Sequence, residues 1–353
     1  MNHKKTIIKN LCRLGDFIGQ FKNEANLKPV ETKKNDIYYE SFLDQFKIAK
    51  KSNGWFTTEN LCFALNQWSE LLKAKPLESW LSKYSIPNKK PKTVAIIMAG
   101  NIPLVGFHDF LSAFVTGHNM IIKQSSNDKY LLPILVSFLM EYDKKLKSRV
   151  KFVEEKLHNF DAVIATGSNN TANYFESYFK NKPSIIRKNR NSIAIINGSE
   201  SKEDLEGLGI DIFQYYGLGC RSVSKIYIPR NYDFDKFFNA IYGWHTIINN
   251  TKYANNYDYN KAVYIMSEFK FIENGFLMLK EDTRLSSPIG TLFYEYYDNL
   301  DELKNIIESI SAEIQCVVSC NFDENEIKFG NTQLPNLLHY ADDIDTVDFL
   351  LKI

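Results

Sequence analysis

Beyond about residue 93, the chain alternates short, continuously apolar runs with longer stretches of helical periodicity. The runs TVAIIMAGN, NMIIK and DAVIAT are bounded by glycine or polar residues. Runs of this length and character are typical of strands buried inside a parallel sheet. We therefore predict three parallel strands, which begin near residues 93, 119 and 161.

The stretches between and after these strands predict helices. LVGFHDFLSAFVTG ends at Gly117, a suitable glycine for a helix C-terminus. SSNDKYLLPILVSFLMEY offers Ser125 or Ser126 as its N-cap, and GSNNTANYFESYF begins with Gly167 and Ser168. Strands and helices that alternate with short connections predict a doubly wound α/β domain, which binds ligands beyond the carboxyl ends of its strands.

The flanking segments add helices before this domain and a second α/β lobe after it. Residues 1 to about 90 read as helices, one of them capped by Thr57 or Thr58. After the strand SIAIING we predict a helix over 204–216, helices near 232–250 and 257–272, and a helix in NLDELKNIIESISAE. Strands are predicted in GLGCRSVSKIYIP, SSPIGTLFYEYY and IQCVVSC.

Composition narrows the class of protein. A chain of 353 residues with 44% hydrophobic and 24% charged residues is typical of a two-domain globular protein. Its 43 basic and 42 acidic residues leave a net charge of +1, so no strong field attracts nucleic acid or a membrane surface. We expect neither a membrane span nor a secretory signal. The five scattered cysteines favour a reducing compartment, hence the cytoplasm, and no metal site is expected.

Four short stretches carry candidate chemistry. Asn101 follows the first strand, and its amide is either an uncharged donor for an oxyanion or a local turn contact. Lys123 ends the second strand, where it either meets a ribose or phosphate or lies solvated. Gly167 and Ser168 open a helix that either holds a pyrophosphate or is simply capped. Cys220 follows Gly-Leu-Gly, and is either a reactive thiol on a turn or a small buried side chain.

The order of these stretches resembles a known family. AGNIPLVGF, VTGHNMIIKQSSND, ATGSNNTANYF, GLGCRSVSKIYIP and SSPIGTLF follow one another as the matching motifs do in the aldehyde dehydrogenase superfamily. WFTTENL and the final YADDIDTVDFLLKI are similar to the LuxC-type long-chain acyl-CoA reductases within it. The resemblance covers about residues 55–353.

The resemblance implies a fold and a division of the chain. The expected fold is α/β and aldehyde-dehydrogenase-like, with a Rossmann-type cofactor domain, an α/β catalytic domain and a helical N-terminal segment. Residues 1–90 would form that segment as part of the cofactor domain, and 91–193 the dinucleotide-binding domain. Residues 194–335 would form the catalytic domain and 336–353 a C-terminal tail.

The resemblance also implies site residues. Cys220 would be the nucleophile, with its own N–H and the Asn101 amide forming the oxyanion hole. Lys123 and Ser126 would bind the adenosine ribose, and Gly167 and Ser168 the pyrophosphate. Arg221 and the histidines His108 and His245 are further candidates for activating the thiol.

Three departures from the family pattern refine the expected reaction. IIRKNRN holds no carboxylate where aldehyde-oxidising members carry a glutamate base; Arg187 lies nearest that place. Without a base, water should attack an acyl-enzyme slowly, which suits a thioester reductase. Ser126 stands where NAD-preferring members often have Glu, so NADPH is permissible beside NADH. A family glutamate that contacts the nicotinamide ribose is missing before Pro288.

These features predict an NAD(P)H-dependent reductase that converts an acyl-CoA to an aldehyde through a Cys220-linked acyl-enzyme. An acyl phosphate or acyl carrier protein is an alternative donor. An acyltransferase or thioesterase using the same cysteine, and a non-catalytic binding protein on the same fold, are the competing functions. A homo-oligomer and an acyl-donating synthetase are possible partners under this hypothesis.

Overall fold

The computed structural model describes residues 3–23, 36–87, 89–323 and 326–353. The chain divides into two compact units. Unit 1 comprises Met1–Lys188 together with Asn336–Ile353, and unit 2 comprises Asn189–Pro335. Within the described ranges, no helix combines the length and apolarity that a membrane-spanning segment needs.

Unit 1 begins with four helices that form an aromatic-rich core. These helices are α1 (His3–Ile18), α2 (Asp36–Ser52), α3 (Thr58–Leu71) and α4 (Ala74–Ser82). Phe17 stacks on Phe138 with ring centroids 4.3 Å apart and meets Phe42 edge-on at 5.7 Å. Thr57 is the N-cap of α3, and its hydroxyl accepts the Asn60 N–H at 3.3 Å, which confirms one of the two predicted caps. Many of the aromatic rings thus fill the core of unit 1.

A parallel sheet follows these helices. Its strands and the helices between them are β1 (Thr93–Ile97), α5 (Phe107–Thr116), β2 (Asn119–Lys123), α6 (Leu131–Met140), α7 (Leu146–Arg149), β3 (Val150–Phe152), β4 (Ala162–Thr166), α8 (Asn169–Phe179) and β5 (Ser184–Arg187). The strand order is β3-β2-β1-β4-β5, and every pairing is parallel. The three predicted strands are confirmed, whereas the edge strands β3 and β5 were not predicted. Gly117 ends α5 with φ of +84°, as its place in the sequence predicts.

The predicted start of α6 is wrong. The helix begins at Leu131, with Tyr130 as N-cap, rather than at Ser125 or Ser126. Residues 125–128 instead form a turn in which the Asp128 N–H donates to the Ser125 carbonyl at 3.1 Å. The Asp128 carboxylate bonds outside this turn, so these residues are held away from helical geometry by tertiary contacts.

Unit 2 contains the second sheet. Its elements are β6 (Asn191–Ile195), α9 (Lys202–Phe213), β7 (Val223–Pro229), α10 (Phe234–Ile241), α11 (Thr251–Met266), β8 (Ile272–Glu273), β9 (Met278–Glu281), β10 (Thr291–Tyr297), α12 (Leu300–Ser309) and β11 (Ile314–Val318). The order is β11-β6-β7-β10-β9-β8, and only the β8–β9 pair is antiparallel. The predicted α/β fold class is therefore confirmed in both units.

One helix of unit 2 is displaced from its prediction. The helix expected near 257–272 runs over Thr251–Met266, because Asn250 caps it by accepting the N–H groups of Lys252 and Tyr253. The chain then returns to unit 1 with α13 (Thr346–Lys352). Val347 and Leu350 of α13 are buried, and the Leu350 carbonyl lies 2.9 Å from His118 Nε2.

Candidate active site

Several predicted site residues of unit 1 lie at one edge of its sheet. In the parallel registers, Ile97 of β1 pairs with Lys123 of β2 and with Ala165 of β4. The segments that carry Asn101 and Ser168 therefore leave the sheet at the same edge as Lys123. The strand order also reverses at β1, and such a switch point opens a crevice suited to a nucleotide.

The loop after β1 approaches the loop after β2 closely. A Cβ placed on Gly100 would lie 2.6 Å from the Cβ of Ser125, so only glycine fits there without displacing the neighbouring turn. Asn101 follows directly, and its side chain is exposed. Asn101 therefore lies beyond the carboxyl end of β1, next to the turn that contains Ser126.

A buried carboxylate holds this loop. Asp128 accepts the N–H of Leu104 at 2.8 Å and also that of Val105. Leu104 has φ of +56°, a conformation that non-glycine residues seldom adopt. Burial raises the pKa of Asp128 to about 7, against the lowering effect of the two N–H donors. The loop therefore depends on a carboxyl group that titrates near neutral pH.

The two residues expected near the adenosine ribose differ in their surroundings. Lys123 is half-buried, and its ammonium donates to the Glu155 carbonyl at 3.2 Å. Ser126 is exposed on the turn between β2 and α6. Lys123 ends β2 and Ser126 follows it on the turn, which leaves both on the same side of the switch point.

The N-terminus of α8 has the features expected of an anion site. Ser168 is the N-cap, and its hydroxyl oxygen accepts the Thr171 N–H at 3.4 Å, as its place in the sequence predicts. No acidic residue lies in the first turn, so the positive end of the helix dipole is not neutralised there. A Cβ on Gly167 would lie 2.9 Å from the Thr171 side chain, so glycine fits best where the chain enters the helix, and the Gly167 N–H donates to the Arg187 carbonyl at 3.3 Å.

Cys220 of unit 2 lies on a tight turn between α9 and β7. The helix predicted to run to Tyr216 ends at Phe213 instead, and Tyr215, Tyr216 and Gly217 have φ of +56°, +58° and +74°. The Ser222 N–H then donates to the Gly219 carbonyl at 2.9 Å, which places Cys220 at the second position of a turn. The residue is exposed, unlike a core thiol.

Arg221, the nearest cation in sequence to Cys220, is engaged in the same unit. Its Nε donates to the Thr332 carbonyl at 2.5 Å. The Cys220 carbonyl accepts the Ser192 hydroxyl at 2.9 Å. The guanidinium thus fixes the turn after Cys220 to a distant segment of unit 2.

The two candidate histidines differ in their surroundings. His108 is surrounded by Trp68, Trp80 and Tyr340, and its Nε2 donates to the Leu337 carbonyl at 3.2 Å. Burial lowers the pKa of His108 to about 4, so its ring is neutral at pH 7. His245 is exposed on the second unit, where its ring stacks on Tyr242 at 4.9 Å.

Arg187 has a structural environment. It ends β5, is buried, and donates to Asp109 at 2.5 Å and to the Thr346 hydroxyl at 2.9 Å. A guanidinium stays protonated in proteins, so Arg187 cannot replace the missing carboxylate base. Its ion pair joins the first sheet to α5, and its bond to Thr346 joins the sheet to α13, all within unit 1.

The structure therefore groups the predicted residues by unit. Asn101, Lys123, Ser126, Gly167 and Ser168 belong to the switch-point edge of unit 1, and Cys220 to the turn in unit 2. In the ranges that the structure covers, no group of three or more His, Cys, Asp or Glu side chains is placed to hold a metal ion. Sequence reasoning missed Asp128 and the groups around Cys220, because their partners are distant in the chain.

Comparison with known proteins agrees with these features. Residues 14–287 match the acyl-CoA reductase (LuxC) family. A long-chain acyl-protein thioester reductase of Aliivibrio fischeri is 27% identical over 177 residues, which cover 43% of this chain and 35% of that protein. The match thus spans about a third of the curated relative's length.

Solved structures show the same fold. Aldehyde dehydrogenase 21 from Physcomitrella patens, in complex with the product succinate, superposes with a TM-score of 0.68 at 10% identity, over 98% of this chain and 84% of that one. Indole-3-acetaldehyde dehydrogenase of P. syringae, in complex with NAD+, gives 0.63 at 11% identity, over 92% and 73%. The fold is that of the aldehyde dehydrogenases, and the chain belongs to the acyl-CoA reductase (LuxC) family.

Proposed function

We propose that this protein reduces an acyl thioester to an aldehyde, with Cys220 as the nucleophile and a nicotinamide dinucleotide as the source of hydride. The observation that carries the proposal is the exposed position of Cys220 on a tight turn, in a chain that belongs to the acyl-CoA reductase family. The Aliivibrio fischeri relative, named for acyl-protein thioester reduction, supports the same substrate class.

The first half of the reaction belongs to Cys220. Its thiolate attacks the carbonyl carbon of the donor, so that an S–C bond forms and the carbonyl oxygen takes the negative charge. When this oxyanion collapses, the bond to the donor's sulfur breaks and the donor leaves as a thiol after taking up a proton. The acyl group then remains on Cys220 as a thioester.

The switch-point edge of unit 1 fits a dinucleotide. The N-terminus of α8 has no acidic residue in its first turn, and glycine at position 167 avoids a clash with the Thr171 side chain where the chain enters the helix. These groups would hold the pyrophosphate, while Lys123 and Ser126 would contact the adenosine ribose. When bound, the reduced nicotinamide supplies the hydride that the thioester carbon needs to reach the oxidation level of an aldehyde.

The second half of the reaction regenerates the thiol. Once the carbon has gained hydride, a thiohemiacetal on Cys220 loses its S–C bond, which releases free aldehyde and the cysteine. Hydrolysis of the acyl-enzyme would compete if a base activated water. Arg187, the residue nearest in sequence to the place of the family's glutamate base, is a protonated guanidinium paired with Asp109, which would favour reduction over hydrolysis.

The details of donor and cofactor are part of the proposal. The acyl donor is a thioester of CoA or of a protein, and NADPH is permissible beside NADH because the exposed Ser126 hydroxyl does not repel a 2′-phosphate. An acyl-donating synthetase, self-association and a cytoplasmic location stay predictions from the sequence.

The decisive test compares wild type with Cys220→Ala during oxidation of NADPH in the presence of palmitoyl-CoA. We expect hexadecanal to form with the wild type and the rate to fall by at least about 10⁴-fold in the variant. Cys320→Ala is the matched control, because Cys320 is also exposed and should tolerate the change.

Two outcomes would contradict the reductase. Absence of NADPH and NADH oxidation with short, long and aryl thioesters would remove it. Release of many equivalents of CoA per protein without cofactor, dependent on Cys220, would indicate acyl transfer or hydrolysis instead, since acylation of Cys220 alone releases only one equivalent.

A further inference from the structure

The turn that carries Cys220 is tied to a segment of unit 2 more than a hundred residues later. Arg221 Nε donates to the Thr332 carbonyl at 2.5 Å, and the Gln333 amide donates to the Ser222 hydroxyl at 3.3 Å. Ser222, Thr332 and Gln333 are all buried. Both residues that follow Cys220 are therefore held by Thr332 and Gln333.

Asp211 holds this distant segment in turn. The carboxylate is fully buried and accepts three hydrogen bonds, from the Gly330 N–H at 2.7 Å, the Thr332 N–H at 2.9 Å and the Thr332 hydroxyl at 2.8 Å. Asp211 lies on α9, the helix that leads into the Cys220 turn. One carboxylate thus links the element before the turn to the segment that fixes the residues after it.

The approach of the two backbones is closer than a side chain would allow. Gly207 lies one helical turn before Asp211, on the same face of α9. A Cβ on Gly207 would lie 3.0 Å from both the Gly330 nitrogen and the Phe329 carbonyl carbon. Gly330 itself has φ of +81°, a conformation that favours glycine. The sequence at both positions is therefore suited to this contact.

The backbone between Asp211 and Cys220 needs such support. Tyr215 and Tyr216 are consecutive non-glycine residues in the left-handed region, with φ of +56° and +58°. Residues in this region persist only where the surrounding structure determines their conformation, and they concentrate at functional sites. The contacts of Asp211 before Cys220, and those of Thr332 and Gln333 after it, hold the backbone in this conformation.

We propose that Asp211, Thr332 and Gln333 are positioning residues that hold Cys220 in the geometry its reactivity requires. This inference rests on the proposed role of Cys220 as the nucleophile. None of the three side chains is assigned a contact with substrate. They act through Arg221, Ser222 and the course of the backbone at the turn.

The test uses thiol reactivity, which can be measured whether or not the protein is a reductase. In a Cys320→Ala background, iodoacetamide modification of Cys220 is followed by peptide mass spectrometry at one pH for Asp211→Asn, Thr332→Val and Thr332→Ser. Thr332→Val removes the hydroxyl donor to Asp211 at nearly constant volume, whereas Thr332→Ser keeps it. We expect Thr332→Val and Asp211→Asn to slow alkylation about tenfold and Thr332→Ser to restore most of the rate.

Two further measurements separate positioning from general stability. Asp204→Ala breaks the exposed capping box of α9 in the same unit, and should lower the melting temperature without slowing alkylation of Cys220. With palmitoyl-CoA and NADPH, Thr332→Val should lower kcat with little change in the KM for either substrate.

The outcomes are distinguishable. Variants that lose melting temperature but alkylate at the wild-type rate, or a Thr332→Ser variant as slow as Thr332→Val, would overturn the positioning role. Normal alkylation of Cys220 in a wild-type protein that oxidises no NADPH or NADH would instead overturn the proposed function and leave the positioning role intact.

Discussion

The two units each use a buried aspartate to hold a loop that carries a candidate site residue, but the two carboxylates differ in their surroundings. Asp128 of unit 1 receives backbone N–H groups from Leu104 and Val105. Asp211 of unit 2 receives two N–H groups and the Thr332 hydroxyl, and the positive charge of Arg221 also acts on it.

This difference bears on how each loop responds to pH. Burial raises the pKa of both groups, to about 7 for Asp128. At Asp211 a third donor and the Arg221 charge favour the carboxylate form, which suits a permanent anchor. The loop after β1 therefore has a holding group that changes charge near neutral pH, whereas the Cys220 turn is held through a larger set of donors.

The largest difference between the two units is expected in the rate of the reaction when Asn101 of unit 1 is replaced. If its amide stabilises the oxyanion, Asn101→Ala should lower kcat by about 10²–10³-fold, because one donor to a developing charge is lost. Alkylation of Cys220 should keep its wild-type rate, since the side chains that tie its turn belong to the other unit. NADPH oxidation with palmitoyl-CoA and iodoacetamide labelling measure the two effects.

Asn127→Ala is the control for that experiment, because Asn127 is an exposed amide on the neighbouring turn. A kcat for Asn101→Ala equal to that of Asn127→Ala would refute a role for the Asn101 amide in the reaction.

The next largest effect is expected on the pH dependence of the stability of unit 1. Because the folded-state pKa of Asp128 is about 7, above its ordinary value of 3.8, the folded state keeps a proton that the unfolded state releases. The free energy of unfolding should thus fall as the pH rises from about 4 to 7, by at most on the order of 4 kcal/mol. Asp128→Asn should remove this slope.

Tryptophan fluorescence during urea unfolding measures mainly the stability of unit 1, because three of the four tryptophans, Trp55, Trp68 and Trp80, belong to unit 1 and only Trp244 belongs to unit 2. Asp258→Asn, an exposed carboxylate of unit 2, should leave the slope as in wild type. Parallel curves for wild type and Asp128→Asn would show that Asp128 does not titrate in this range.

A smaller effect is expected on the KM values for NADPH and NADH when Ser126 of unit 1 is replaced. Ser126→Glu should raise the KM for NADPH about tenfold, because a carboxylate repels the 2′-phosphate, with little change in the KM for NADH. Ser148→Glu adds the same charge at another exposed position of unit 1 and should change neither. Equal KM changes for both cofactors in Ser126→Glu would place the adenosine ribose elsewhere.

The smallest effect compares one helix cap in each unit. Ser168→Ala and Ser201→Ala each remove an N-cap bond, from α8 and α9, and each should destabilise its helix by about 1 kcal/mol. Only Ser168→Ala should also raise the KM for the dinucleotide, by a few fold. Thermal unfolding and NADPH titration would separate the two effects, and equal KM values in both variants would refute pyrophosphate binding at α8.

The parts of the fold that were predictable carry strong local patterns. β1, β2 and β4 are apolar runs, and α8 begins with a capping serine, so each follows from its own residues. β3 and β5 were missed because they are edge strands of three and four residues. A run this short has too few apolar positions to show a period.

The candidate site likewise has features that the local sequence predicts and features that depend on distant residues. Cys220 and its glycines are recognisable as a turn, but the bonds from Gly330 and Thr332 to Asp211 join positions about 120 residues apart. The early end of α9 at Phe213 depends on the left-handed residues that follow, and Tyr215 and Tyr216 have no local signal for that conformation. Tertiary contacts decide both features.

The return of residues 336–353 to unit 1 makes unit 2 an insertion within the sequence of unit 1. During synthesis, all of unit 2 has been added to the chain before α13 exists, an interval on the order of ten seconds at about 5–20 residues per second. Until then Arg187 lacks its Thr346 partner, and the surface of α5 that contacts α13 stays uncovered. Unit 2 begins later in the sequence than unit 1, but all of its residues have been synthesised, and can fold, before unit 1 is complete.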